Sequence, residues 1–135
     1  MSTISERATA GIKTMPAHEQ KAHQGSNRIV TDDEVGDALR WLATNARDVG
    51  EARARMVRAG HMLKHVEALG YLASEEKTVD AKKCSVRASA KWLEAVEEDA
   101  LAAGEFEKMK ALREAAAARI ECWRSESATL RGTKP

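Results

Sequence analysis

The chain of 135 residues carries 22 Lys and Arg against 21 Asp and Glu, a formal charge of +1, and only 4% of it is aromatic. That length gives one domain, or one domain plus a tail. An excess of Ala, Glu, Lys, Arg and Leu suits long helices and leaves little for a β-sandwich or an α/β core. An elongated helical domain of this size buries a modest core, so self-association into a homo-oligomer is expected to contribute to its stability.

Residues 1–30 are rich in Ser, Thr, Ala, Gly, Gln and His, contain Pro16 and Gly25, and show no sustained apolar period. They read as a flexible N-terminal arm, or as a segment that folds against a partner through Lys13, Lys21 and Arg28. A helical domain over residues 31–135 follows. Thr31-Asp-Asp-Glu34 is a capping box, and Asp32 and Asp33 suit the positive end of a helix dipole. From there to Ala73 the sequence keeps a heptad seam. Its a positions are Val35, Leu42, Val49, Met56, Leu63 and Gly70, and its d positions are Ala38, Asn45, Ala52, Ala59, Val66 and Ala73. Such a run predicts one long helix packed along its length, with the seam from Val35 to Val66 holding the fold and the oligomer. Small d residues allow a neighbouring helix to approach closely, and Asn45 is a polar interruption that could fix register. The segment from Asn45 to Gly50 is the expected kink, with two shorter helices as the fallback.

Gly70 to Ser74 begins a break. A short helix is expected from about Thr78 to Val86, ending before Ser89, which can cap the last helix. That helix carries Trp92, Leu93, Val96 and Ala100, then Phe106, Met109, Leu112, Ala116, Ile120, Trp123 and Leu130 on one face. Gly104 interrupts it or is absorbed, and Gly132 and Pro135 close it. The expected architecture is all-α, two long helices folded back as an antiparallel hairpin or bundle with a short connector helix. Charge is blocked along the chain: residues 31–46 are acidic, 47–65 basic, 94–107 hold acids and no base, and 108–134 are basic. The acidic 94–107 block is expected to face the basic 47–65 block or the C-terminal one.

Catalytic chemistry finds little support. His61 and His65 sit at i and i+4, but the stretch His-Met-Leu-Lys-His lacks the glutamate of the zincin motif, and both fall outside the seam. Cys84 lies between Lys83 and Arg87 with nothing to mark it as a nucleophile, and Cys122 belongs with it to no metal or redox spacing. The glycines are scattered singly, so no phosphate loop forms. No metal, cofactor or enzymatic activity is expected. With no signal peptide and no apolar run near 18 residues, the chain reads as a soluble cytoplasmic protein, free of membrane, with free thiols.

The basic residues carry the sharper functional reading. Lys83, Arg87 and Lys91 recur at every fourth position, with Lys82 adjacent and Trp92 following, while Arg55, Arg58 and Lys64 add charge to the first helix. Cations that track a backbone beside a stacking aromatic are what single-stranded nucleic acid requires. A solvated charged face, with Trp92 in the core, explains the same spacing.

The pair Trp41-Leu42, the connector Lys77-Thr-Val-Asp-Ala81 and the ending Ile120-Glu-Cys-Trp-Arg-Ser-Glu-Ser-Ala-Thr-Leu-Arg131 give residues 31–131 a layout that resembles small helical proteins of tailed-phage early regions. Among these it is similar to the UvsY-type recombination mediator. The resemblance implies a non-enzymatic bacteriophage accessory protein of recombination or replication. Such a protein binds single-stranded DNA as an oligomer in the host cytoplasm and hands over to a recombinase or another replication or host protein. The alternative is a protein–protein interaction factor, either a phage inhibitor of a host protein or a scaffold-type helical assembly. What separates the two is whether the cations converge on one exposed groove or are spent on the acidic block.

Overall fold

The computed structural model describes residues 28–132. The expected N-terminal arm, apart from its last residues, lies outside the described residues, as does Pro135. The described chain is all-helical: α1 spans Asp32–Ala73, α2 Val79–Arg87 and α3 Ala90–Gly132. The two long helices pack against each other, and α2 rests mainly on α1.

Local chemistry sets each boundary. The Thr31 hydroxyl accepts from the Glu34 amide at 3.2 Å, with Asp32, Asp33 and Glu34 filling the first turn of α1. At the far end Ser74 turns extended, and its amide donates to the Tyr71 carbonyl. Thr78 caps α2 by accepting from the Ala81 amide at 3.1 Å. Ser89 does two jobs at the α2–α3 joint: its hydroxyl donates to the Val86 carbonyl at 2.6 Å and accepts from the Trp92 amide at 3.3 Å.

Residues far apart in sequence fix the antiparallel register. Arg55 pairs with Glu98, the Trp123 indole N–H donates to Asp32 Oδ1 at 2.7 Å, and the Ile29 amide donates to Glu126 Oε1 at 3.0 Å. Ordered contacts therefore start before the expected boundary at Thr31. Val30 is buried, and the Arg28 guanidinium lies over the Trp123 ring.

The expected kink between Asn45 and Gly50 is absent, and α1 runs unbroken through 42 residues. Asn45 does not reach across to fix register either; its Nδ2 donates to the Trp41 carbonyl one turn back in its own helix. Gly104 is likewise absorbed within α3.

Val35, Ala38, Val49, Ala52 and Ala59 are buried, while Leu42, Met56, Leu63 and Val66 are half-buried and Ala73 is exposed. The heptad seam is thus taken up inside one chain, by packing against α3. On α3, Ala102 and Ala116 are buried, and Trp92, Val96, Phe106, Met109, Ile120 and Trp123 are half-buried. Leu93, Ala100, Leu112 and Leu130 were expected on this face, yet all are exposed. The inward stripe of α3 runs at steps of three, four and seven through Trp92, Asp99, Ala102, Phe106, Met109 and Ala116, which leaves Leu93, Ala100 and Leu112 one position off. Alanines hold most of the buried positions of the contact, Ala38, Ala52 and Ala59 on α1 and Ala102 and Ala116 on α3.

Candidate nucleic-acid interface and apolar flank

The candidate cations divide between two places. On α1, Arg55 forms a two-pronged bond with Glu98 of α3, Nε to Oε1 at 2.8 Å and Nη2 to Oε2 at 3.1 Å. That hydrogen bond, with the attraction between the charges, raises the arginine pKa. The same bond holds the Glu98 carboxyl below the ordinary carboxylate range, against a smaller opposing effect of burial. Arg58 shares a shallow depression with Arg55, Asp48, Glu51 and Glu105. The acidic block of α3 therefore does face the basic block of α1, through Glu98 on Arg55 and Glu105 at the edge of the same depression.

The other group sits at the shoulder where α2 meets α1. Lys64 and Lys83 line a depression with Glu67, Tyr71, Leu72 and Val86. Lys82 Nζ stands 5.1 Å from the Tyr71 ring centre, and Arg87 lies 3.9 Å from Glu67. Lys83 and Arg87 share one face of α2, but the break at Ala88 and Ser89 ends it. Lys91 opens a different helix and does not continue their stripe. The expected stripe of Lys83, Arg87 and Lys91 is thereby split between α2 and α3, with Lys91 apart from both groups. Arg58, Lys64, Lys83 and Lys91 have no ion-pair partner among the described residues.

Trp92, the candidate stacking platform, is half-buried. His61 and His65 are exposed, and among the described residues no group of three or more His, Cys, Asp or Glu is placed to hold a metal ion. Cys84 is exposed. Cys122 is half-buried and its thiol donates to Glu126 Oε1 at 3.4 Å, a bond that raises its pKa with help from burial and the carboxylate charge. No helix among the described residues is long and apolar enough to cross a membrane.

Sequence reading overlooked the apolar flank. Met62, Leu69 and Leu72 on α1 are 56%, 53% and 80% exposed, and Leu101 and Leu112 on α3 are 65% and 43% exposed. Counting the g and c positions of the heptad as well as a and d finds this stripe: Asp48, Glu51, Arg55, Arg58, Met62, Leu69 and Leu72 recur at steps of three, four and seven. Glu98, Leu101, Glu105 and Leu112 make the matching stripe of α3. The Arg55–Glu98 bond joins the two into one flank.

No family model, no curated protein and no solved structure matches the chain.

Proposed function

We propose that this chain is a non-enzymatic protein–protein interaction factor of the cytoplasm, a helix-assembly module that works by offering its helices to other helices. One observation carries this reading. No side chain larger than valine is buried among the described residues, while leucines, Met62 and Ile29 stand 43–82% exposed. A pair of helices buries one stripe of each, and apolar side chains on the flanks find burial only in a further layer of helices. Exposed apolar surface of this extent marks a protein-binding face more often than an idle one. Arg55, given over to Glu98, and Arg58, in a depression that Asp48, Glu51 and Glu105 also line, fit a protein contact better than a polyphosphate track.

Binding of single-stranded DNA is the second reading, supported by the shoulder of α2, where Lys64, Lys82 and Lys83 gather beside Tyr71. The resemblance to a UvsY-type mediator, and a recombinase as partner, belong with it. One titration separates the readings: binding to a labelled single-stranded oligonucleotide across salt, with particle mass determined in the same buffer. The interaction reading expects no oligonucleotide binding even at low salt, whatever the particle mass. A single-chain particle that binds the oligonucleotide with a steep salt dependence would replace it with the DNA reading.

A further inference from the structure

The flank joined by Arg55 and Glu98 has an order along its length. On α1 it begins with the carboxylates Asp48 and Glu51, passes the guanidinium groups Arg55 and Arg58, and ends in Met62, Leu69 and Leu72. Its other end holds half-buried Trp41 on α1 and exposed Leu112 on α3. Leu101 projects from α3 near the middle, between Glu98 and Glu105. A flank that is apolar at both ends, acidic on one side of its centre and basic on the other is complementary to itself when turned end for end.

We propose that this flank docks on a second copy of the same chain, with the two hairpins related by a two-fold axis near Arg55 and Leu101. The inference rests on the reading of the chain as an interaction factor and names the partner. Turning one copy about that axis sets Leu69 and Leu72 of each chain against Trp41 and Leu112 of the other. It places Arg58 of each copy one turn from Asp48 and opposite Glu51, which Arg47 of its own chain also meets at 3.0 Å. Asp48 and Arg58 have no ion-pair partner among the described residues, so each is available to answer the other. The two leucines at position 101 meet at the axis. The product is a four-helix bundle whose second layer covers the flank, with both apolar ends paired.

The area suffices. From Trp41 to Leu72 the stripe runs about 45 Å at 1.5 Å per residue, and the neighbouring helix axis lies about 8–10 Å away. A face of that length and more than one helix wide exceeds the roughly 800 Å² per partner of a stable interface.

The test uses the full chain and sedimentation equilibrium. The wild type is expected at twice the single-chain mass of 14.8 kDa. Arg58→Glu alone, or Asp48→Arg with Glu51→Arg, should weaken the dimer about tenfold or more, because each change occurs twice across the axis. Combining all three should restore affinity to near the wild type, which a merely structural defect would not do. Leu101→Glu, at a position already in solvent within one chain, should dissociate the dimer while leaving helicity intact. A dimer indifferent to Arg58→Glu and Leu101→Glu would overturn this face. A single-chain mass with weak, non-cooperative helicity would overturn self-docking and leave the interaction reading standing. A single-chain mass with cooperative unfolding would overturn both.

Discussion

Replacing Gly70 with Ala should behave unlike the same change at Gly50 or Gly104, and the sign comes from what each new methyl meets. Glycine inside a helix costs roughly 1 kcal/mol relative to alanine, so each replacement begins with a gain of at most that size. At Gly50 and Gly104 an added Cβ has nothing within 4 Å, and the gain should appear in full. At Gly70 the Cβ falls 3.0 Å from Val86 Cγ2 and 3.2 Å from Cγ1. Val86 is only 3% exposed, and a valine in a helix holds essentially one rotamer, so its methyls cannot swing aside. Overfilling a packed contact costs about 1–3 kcal/mol, which leaves Gly70→Ala neutral to about 2 kcal/mol less stable. Urea unfolding at one fixed protein concentration measures the difference, about 1–3 kcal/mol between Gly50→Ala and Gly70→Ala. Because α2 is short and Val86 is its one buried residue, the strain should also show as faster amide exchange across Val79–Arg87. Equal stabilisation by Gly70→Ala and Gly50→Ala, with α2 equally protected, would refute the close approach of Val86 to α1.

Leu63→Asp places a charge in the half-buried seam and should cost about 2–5 kcal/mol, read as lost helicity or an earlier urea midpoint; an unchanged midpoint would remove the seam from the account. The Glu98 carboxyl is held below its ordinary 4.5, so its link to Arg55 contributes fully above that value and is lost as pH falls through the lowered folded value. Glu98→Gln should therefore flatten the acid side of the stability–pH curve, by a small amount because both partners are exposed, and an unaltered acid limb would count against the bond. Cys84 should be alkylated before Cys122, whose thiol is half-buried and bonded to Glu126, and Glu126→Gln should hasten labelling of Cys122 in a mass-spectrometric time course.

Much of the hairpin could be read from the chain because its signals are local or periodic. Thr31 and Ser89 cap the helices they were expected to cap, and the a and d positions from Val35 to Val66 are buried or half-buried. The errors have physical sources. Gly50 and Asn45 suggested a kink from propensity alone. Propensity differences of about 1 kcal/mol yield to packing along a long partner, and Asn45 satisfies itself on its own backbone. Helical spacing puts Leu93 and Leu112 on the inward face, yet alanines hold the contact and the leucines fall one position off.

The basic residues show a different limit. Spacing places Lys83 and Arg87 on one face of α2, but the break at Ser89 decides that Lys91 leaves it. Whether Arg55 meets a phosphate or Glu98 depends on the register between helices separated by 43 positions, which no local pattern contains. The open-end cluster of Arg28, Asp32 and Trp123 escaped for the same reason: its Asp32–Trp123 bond spans 91 positions. The apolar flank was visible in principle, in the g and c positions, once the a and d seam had been assigned to packing within the chain.

A hairpin whose described residues bury nothing larger than valine is completed, in the self-docked dimer, by the helices of a second copy. Circular dichroism over about a hundredfold dilution of the pure protein follows both helicity and the unfolding midpoint. Helicity should fall and the midpoint should drop as the chain is diluted, because the second layer is lost by mass action. A cooperative transition with the same midpoint and the same helicity at every concentration would contradict it.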